Sequence, residues 1–131
     1  MSDAMIVFQA AAVAALAARP GLGELTGIYD GPPPRAAFPY LSIAGGATSD
    51  WSTKTARGRE LRFAMTIWDD GEEALRLHML MAEAESAVAG VPPDLPGWRI
   101  ASLVFARSLI ARDPAGPWAG LIEHRVRMLA A

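Results

Sequence analysis

The chain has 131 residues, 52% of them hydrophobic, with 12 basic and 14 acidic residues for a formal net charge of −2. That is enough for one domain with one core and too little for two, and the charge excludes an overall basic field of the kind that holds nucleic acid. With no cysteine, a disulfide framework, a thiol nucleophile and a thiolate metal site are excluded as well.

No basic segment precedes the first apolar run, so the N-terminus does not read as a signal peptide. The longest apolar stretch, 10–18, is too short to span a bilayer. The expectation is a soluble protein of the cell interior, or one assembled there. Trp51, Trp68, Trp98 and Trp118 supply large apolar surface, and the composition permits burying part of it against partners.

Residues 3–18 read as a first helix. Ser2 or Asp3 is placed to cap it, alanine favours it, and Arg19-Pro20-Gly21 stops it. Ile6, Ala10, Val13 and Ala17 form the predicted apolar stripe, with Phe8 and Leu16 beside it. A short strand is expected at 25–29, followed by a connector containing Pro32, Pro33 and Pro34. A second strand at 39–44 ends at Gly45-Gly46, which marks a bulge or a close backbone approach.

The polar segment Thr48-Ser-Asp-Trp-Ser-Thr-Lys-Thr-Ala-Arg-Gly-Arg-Glu60 interrupts an otherwise apolar, alanine-rich chain. After it Leu61, Phe63, Met65 and Ile67 alternate with Arg62, Ala64 and Thr66, the period of a half-buried strand. The polar segment exceeds a tight turn, so it reads as a hairpin arm with its tip at 53–58 clear of the domain.

A second helix is expected over 72–89. Asp69, Asp70, Glu72 and Glu73 suit the positive end of its dipole, and Ala74, Leu77, Leu80, Met81, Ala84 and Val88 form its apolar face. Gly90 and the proline-rich segment 91–97 end it. Two strands close the chain, 98–111 and 118–129, around a proline and glycine turn. The order α, β, β, β, α, β, β predicts an α+β fold: an antiparallel sheet of four to five strands, two helices on one face, and a long hairpin arm.

The residues assemble no catalytic, cofactor or metal motif. His78 and His124 lack metal-spaced companions and read as packed or partly exposed side chains. The carboxylates at 69–73 read as helix caps rather than a cation site. No histidine lies near the serines and threonines at 48–55 to act as a base, and Gly45-Gly46 lacks the lysine of a phosphate loop. Arg57, Arg59, Arg62, Arg107, Arg112, Arg125 and Arg127 remain. They read as a solvated strand face paired with Glu60 and Glu123, or as subunit-interface anchors.

Three segments resemble one family: Ile28-Tyr-Asp-Gly-Pro-Pro-Pro, Phe38-Pro-Tyr-Leu, and Asp50-Trp-Ser-Thr-Lys-Thr-Ala-Arg-Gly-Arg-Glu60. The family is the small tail-terminator, or tail-completion, proteins of phages, prophages and gene-transfer-agent particles. The resemblance extends over nearly the whole chain, including the Arg112-Asp113-Pro114 turn. It implies a non-enzymatic α+β protein, without cofactor, that sits in the particle at the head-proximal end of the tail after assembly in the bacterial cytoplasm. There it forms a ring, typically hexameric, that stops growth of the tail tube and joins tail to head. The implied partners are other copies of the chain, the major tail tube protein and the head–tail connector or stopper protein. Neither a membrane nor specific nucleic acid is among them, although DNA passes through the ring channel.

The resemblance assigns the arm to contacts with ring neighbours or the tube, and Asp50, Trp51, Lys54, Arg57 and Arg59 are the expected interface residues. In that reading Trp51, Lys54, Arg57 and Arg59 share one patch and meet acids of the next subunit. Rival readings are a connector or stopper ring nearer the head, a small ligand-binding or enzymatic α+β domain using the helix-free face, and a regulatory, antitoxin-like dimer.

Overall fold

The computed structural model describes residues 3–112 and 114–131. Helix α1 spans Ala4–Ala17 and is capped by Asp3, whose carboxylate accepts from the Met5 N–H at 2.7 Å. A 3-10 turn, Pro20–Leu22, follows. The strands are β1 (Ile28–Asp30), β2 (Tyr40–Ile43), β3 (Ala47–Asp50) and β4 (Gly58–Asp69), then helix α2 (Leu75–Ala89), then β5 (Asp94–Leu95), β6 (Trp98–Arg112) and β7 (Trp118–Ala130).

The fold is α+β, as expected, but the sheet is larger and mixed. Its seven strands run in the order β1-β2-β4-β7-β6-β5, with β3 paired to the other end of β4. β1 and β2 are parallel. A tight turn would have folded them antiparallel; the proline-rich connector 31–39 instead carries the chain back before β2 begins. Bonds from Thr26 N–H to the Pro39 carbonyl and from Leu41 N–H to the Gly27 carbonyl tie the two segments together. β5 also lies outside the expected set. It forms a short hairpin with β6 across Pro96 and Gly97, whose φ of 77° suits glycine.

The core lies between one face of the sheet and the two helices. Leu61, Phe63, Met65 and Ile67 of β4 and Ile122, Val126 and Met128 of β7 are buried there, as their alternation requires. α2 buries Leu77, Leu80, Met81, Ala84, Ala87 and Val88, close to the predicted face. Gly120 on β7 leaves room for α2: a Cβ there would stand 2.5 Å from the Met81 Sδ.

Two expectations are corrected. α1 buries Ala4, Phe8, Ala12 and Leu16, whereas Ile6 is 67% exposed. In an alanine-rich helix every face is apolar, so spacing alone does not fix the rotation. The large side chains do: Phe8 packs edge-on against Phe63 with ring centroids 5.1 Å apart. The acids after β4 do not cap α2, which starts at Leu75 without a side-chain cap. Asp69 instead ends β4 fully buried, accepting from the Gly71 N–H and from two guanidinium nitrogens of Arg76. It ties the strand end to the first turn of α2.

Candidate functional site

The arm is a hairpin formed by β3 and the first residues of β4, with Ala47 to Asp50 opposite Arg62 to Arg59. All of β3 is exposed. Trp51 N–H bonds to the Gly58 carbonyl at 3.0 Å, and Thr53 N–H to the Ala56 carbonyl at 2.8 Å, closing a tight tip. The Ser52 hydroxyl accepts from the Gly58 N–H at 2.9 Å and donates to Asp50 at 2.6 Å. The free tip is therefore shorter than 53–58, because Gly58 is buried and the Arg57 carbonyl accepts from the Ala130 N–H.

The five expected interface residues divide across the sheet. Arg59 pairs with Asp50 at 3.0 Å. The Ser52 hydroxyl, more than Arg59, holds the Asp50 carboxyl below its ordinary value. The Arg57 guanidinium lies 5.7 Å from the ring centroid of Trp98, a buried residue. Trp51 lies under Arg127 at 5.4 Å, and Arg127 in turn bonds Glu60 at 2.9 Å. Lys54 is exposed at the tip. Most of these groups thus fix the arm to its own sheet, and Lys54 faces outward.

The helix-free face carries the expected charge ladder. Arg127 meets Glu60 and Arg107 meets Glu123 at 2.6 Å. The bond from Arg127 keeps Glu60 deprotonated below the usual range, helped by Arg125 and Arg62. Arg62 and Arg125 face each other directly in the register, a like-charge pair that spacing alone did not disclose.

A second feature escaped the sequence reading. β5 covers β6 only at Trp98 and Arg99, so most of a 15-residue strand is an open edge. Val104, Phe105 and Leu109 are exposed along it. On α2, Leu75 and Met79 are exposed as well and border a groove of about 480 Å³ shared with Gly21, Glu24, Arg76 and Glu83. Nothing in the alternation of β6 signals that the helices stop short of it. Of the histidines, His124 is buried and His78 exposed. Among the described residues no group of three or more metal-ligating side chains gathers.

Comparison with known proteins places these features in context. The family model described as tail completion protein gp17 matches residues 10–129. Among solved structures, a chain of the virion of a native gene transfer agent particle is similar at 25% identity, covering 99% of this chain and 100% of that one, with a TM-score of 0.87. The gp17 protein of bacteriophage SPP1 shares the fold at 20% identity, covering 91% and 86%, with a TM-score of 0.61. No curated protein matches the chain in sequence.

Proposed function

Because the chain belongs to the gp17 tail completion protein family, we propose that it is a structural component of a phage-like particle, a tail terminator at the head-proximal end of the tail tube. The family match across nearly the whole chain carries this reading. The likeness to a virion chain supports the same placement in the particle.

In finer detail, copies of the chain close a ring, a hexamer, that halts tube growth. One side of the ring rests on the major tail tube protein, and the other meets the connector or stopper protein of the head. A closed ring requires two different patches per subunit. The arm belongs to one of them: Asp50, Trp51, Arg57 and Arg59 hold its shape, and Lys54 at its tip reaches acids of the adjoining subunit.

The runner-up is a connector or stopper ring nearer the head. Electron microscopy of particles from cells lacking the gene separates the two. Overlong or irregular tails without heads, beside tailless filled heads, are the expected result. Tails of normal length that fail to join heads would assign the protein to the connector, and normal particles would overturn the structural role.

A further inference from the structure

We propose that the ring contact, on the ring reading above, seats the open β6 edge of one subunit in the groove between α2 and the Pro20–Leu22 turn of the next. The two surfaces are complementary in kind. β6 carries Arg99, Arg107 and Arg112 and no acid between Trp98 and Arg112, and its exposed apolar side chains are Val104, Phe105 and Leu109. The groove presents exposed Leu75 and Met79 beside Glu24, Arg76 and Glu83. Glu83 pairs with Arg19 and Glu24 stands 3.8 Å from Arg76, while Asp70, Glu72 and Glu73 add exposed acids just before α2.

Among the described residues, the exposed large apolar side chains other than Ile6 fall into these two patches. A long apolar edge left unpaired is an invitation to association, and an apolar groove whose surroundings carry more acids than bases is a fitting receptor for a basic apolar strand. The internal bonds do not forbid it. Arg99 and Arg107 pair with Asp94 and Glu123 but keep 66% and 61% side-chain exposure. Arg19 and Glu83 pair at 39% and 37% exposure, and Arg112 lies over Trp118. Exposed ion pairs hold weakly enough to exchange partners. The arm fits the same scheme. Arg57 lies over Trp98, where β6 begins, so the arm and the start of β6 sit at the same end of the sheet.

The contact is testable because the chain has no cysteine. Met79→Cys with Phe105→Cys, and separately Leu75→Cys with Leu109→Cys, are expressed in place of the natural protein. Purified particles are then treated with a short bis-maleimide. Because all four positions are exposed, the substitutions leave the core intact. The expected result is a ladder of covalent oligomers in at least one double variant, with each single variant remaining monomeric. Absence of a ladder in particles whose tails are normal and joined would overturn the edge-to-groove contact while leaving the terminator reading intact. Covalent dimers from Phe105→Cys alone would also overturn it, since they require edge to meet edge. Absence of the protein from the particles would defeat the ring reading itself.

Discussion

Gly58 shows how one missing methyl shapes the arm. Its position is buried, and a Cβ there would collide with the Trp51 carbonyl oxygen and lie 3.1 Å from the Leu129 Cδ2. Backbone cannot yield as a flexible side-chain end can, so Gly58→Ala is expected to cost about 1–3 kcal/mol by overpacking, measured as a shift in the urea midpoint. Asp69 and Arg76 are asymmetric partners. Asp69 is fully buried, whereas the Arg76 side chain is 41% exposed. Arg76→Met strands a buried carboxylate and should destabilise by roughly 2–3 kcal/mol. Asp69→Asn, which leaves an exposed guanidinium and a neutral amide, should cost less.

His124 supplies a pH dependence. It is buried, and neither ring nitrogen has a hydrogen bond of ordinary geometry. Burial pushes its pKa below 6.5, with the Glu85 backbone opposing. Between the two values the unfolded chain binds the proton and the folded chain resists it. Stability is therefore full above the unfolded pKa and falls as pH drops, by at most about 1.4 kcal/mol per unit, until the folded imidazole also protonates. His124→Leu should remove this slope in denaturation series between pH 7.5 and 5.5.

At the scale of elements, α1 offers a direct comparison of two faces. Phe8 is buried against Phe63, and Ile6 points outward. Phe8→Ala should destabilise by about 3–5 kcal/mol, and Ile6→Ala by no more than about 0.5 kcal/mol, both read from denaturant midpoints. Had the predicted stripe been the buried one, the order would reverse. β4 behaved differently: its alternation placed Leu61, Phe63, Met65 and Ile67 on the core side and all four are buried. A strand has only two faces, and large polar and apolar side chains alternated there. The alanines of α1 offered no such contrast.

For the whole molecule, folding and assembly draw on separate residues. Lys54 is exposed at the tip of a hairpin closed by its own backbone bonds. Lys54→Glu is therefore expected to leave stability within about 0.5 kcal/mol, yet to reduce the yield of joined particles in a complementation assay. Arg57→Glu with Arg59→Glu is a less clean test, because Arg59 also pairs with Asp50 and Arg57 lies over Trp98. Loss of assembly in that variant would mix a misshapen arm with a lost contact.

Local order could be read from the order of residues. Legible there were both helices, the long strands β4, β6 and β7, a strand face of arginines with Glu60 and Glu123 among them, and the family resemblance in the arm. Those follow from propensity, period and motif, which are carried by neighbouring residues. The parallel pairing of β1 with β2, the rotation of α1, the burial of Asp69 against Arg76, the pairing of Arg107 and Arg127 with Glu123 and Glu60, and the exposed apolar edge of β6 emerge only from the folded chain. Each of these depends on which distant segment supplies a covering side chain or a hydrogen-bond partner, and no local pattern encodes where that cover ends.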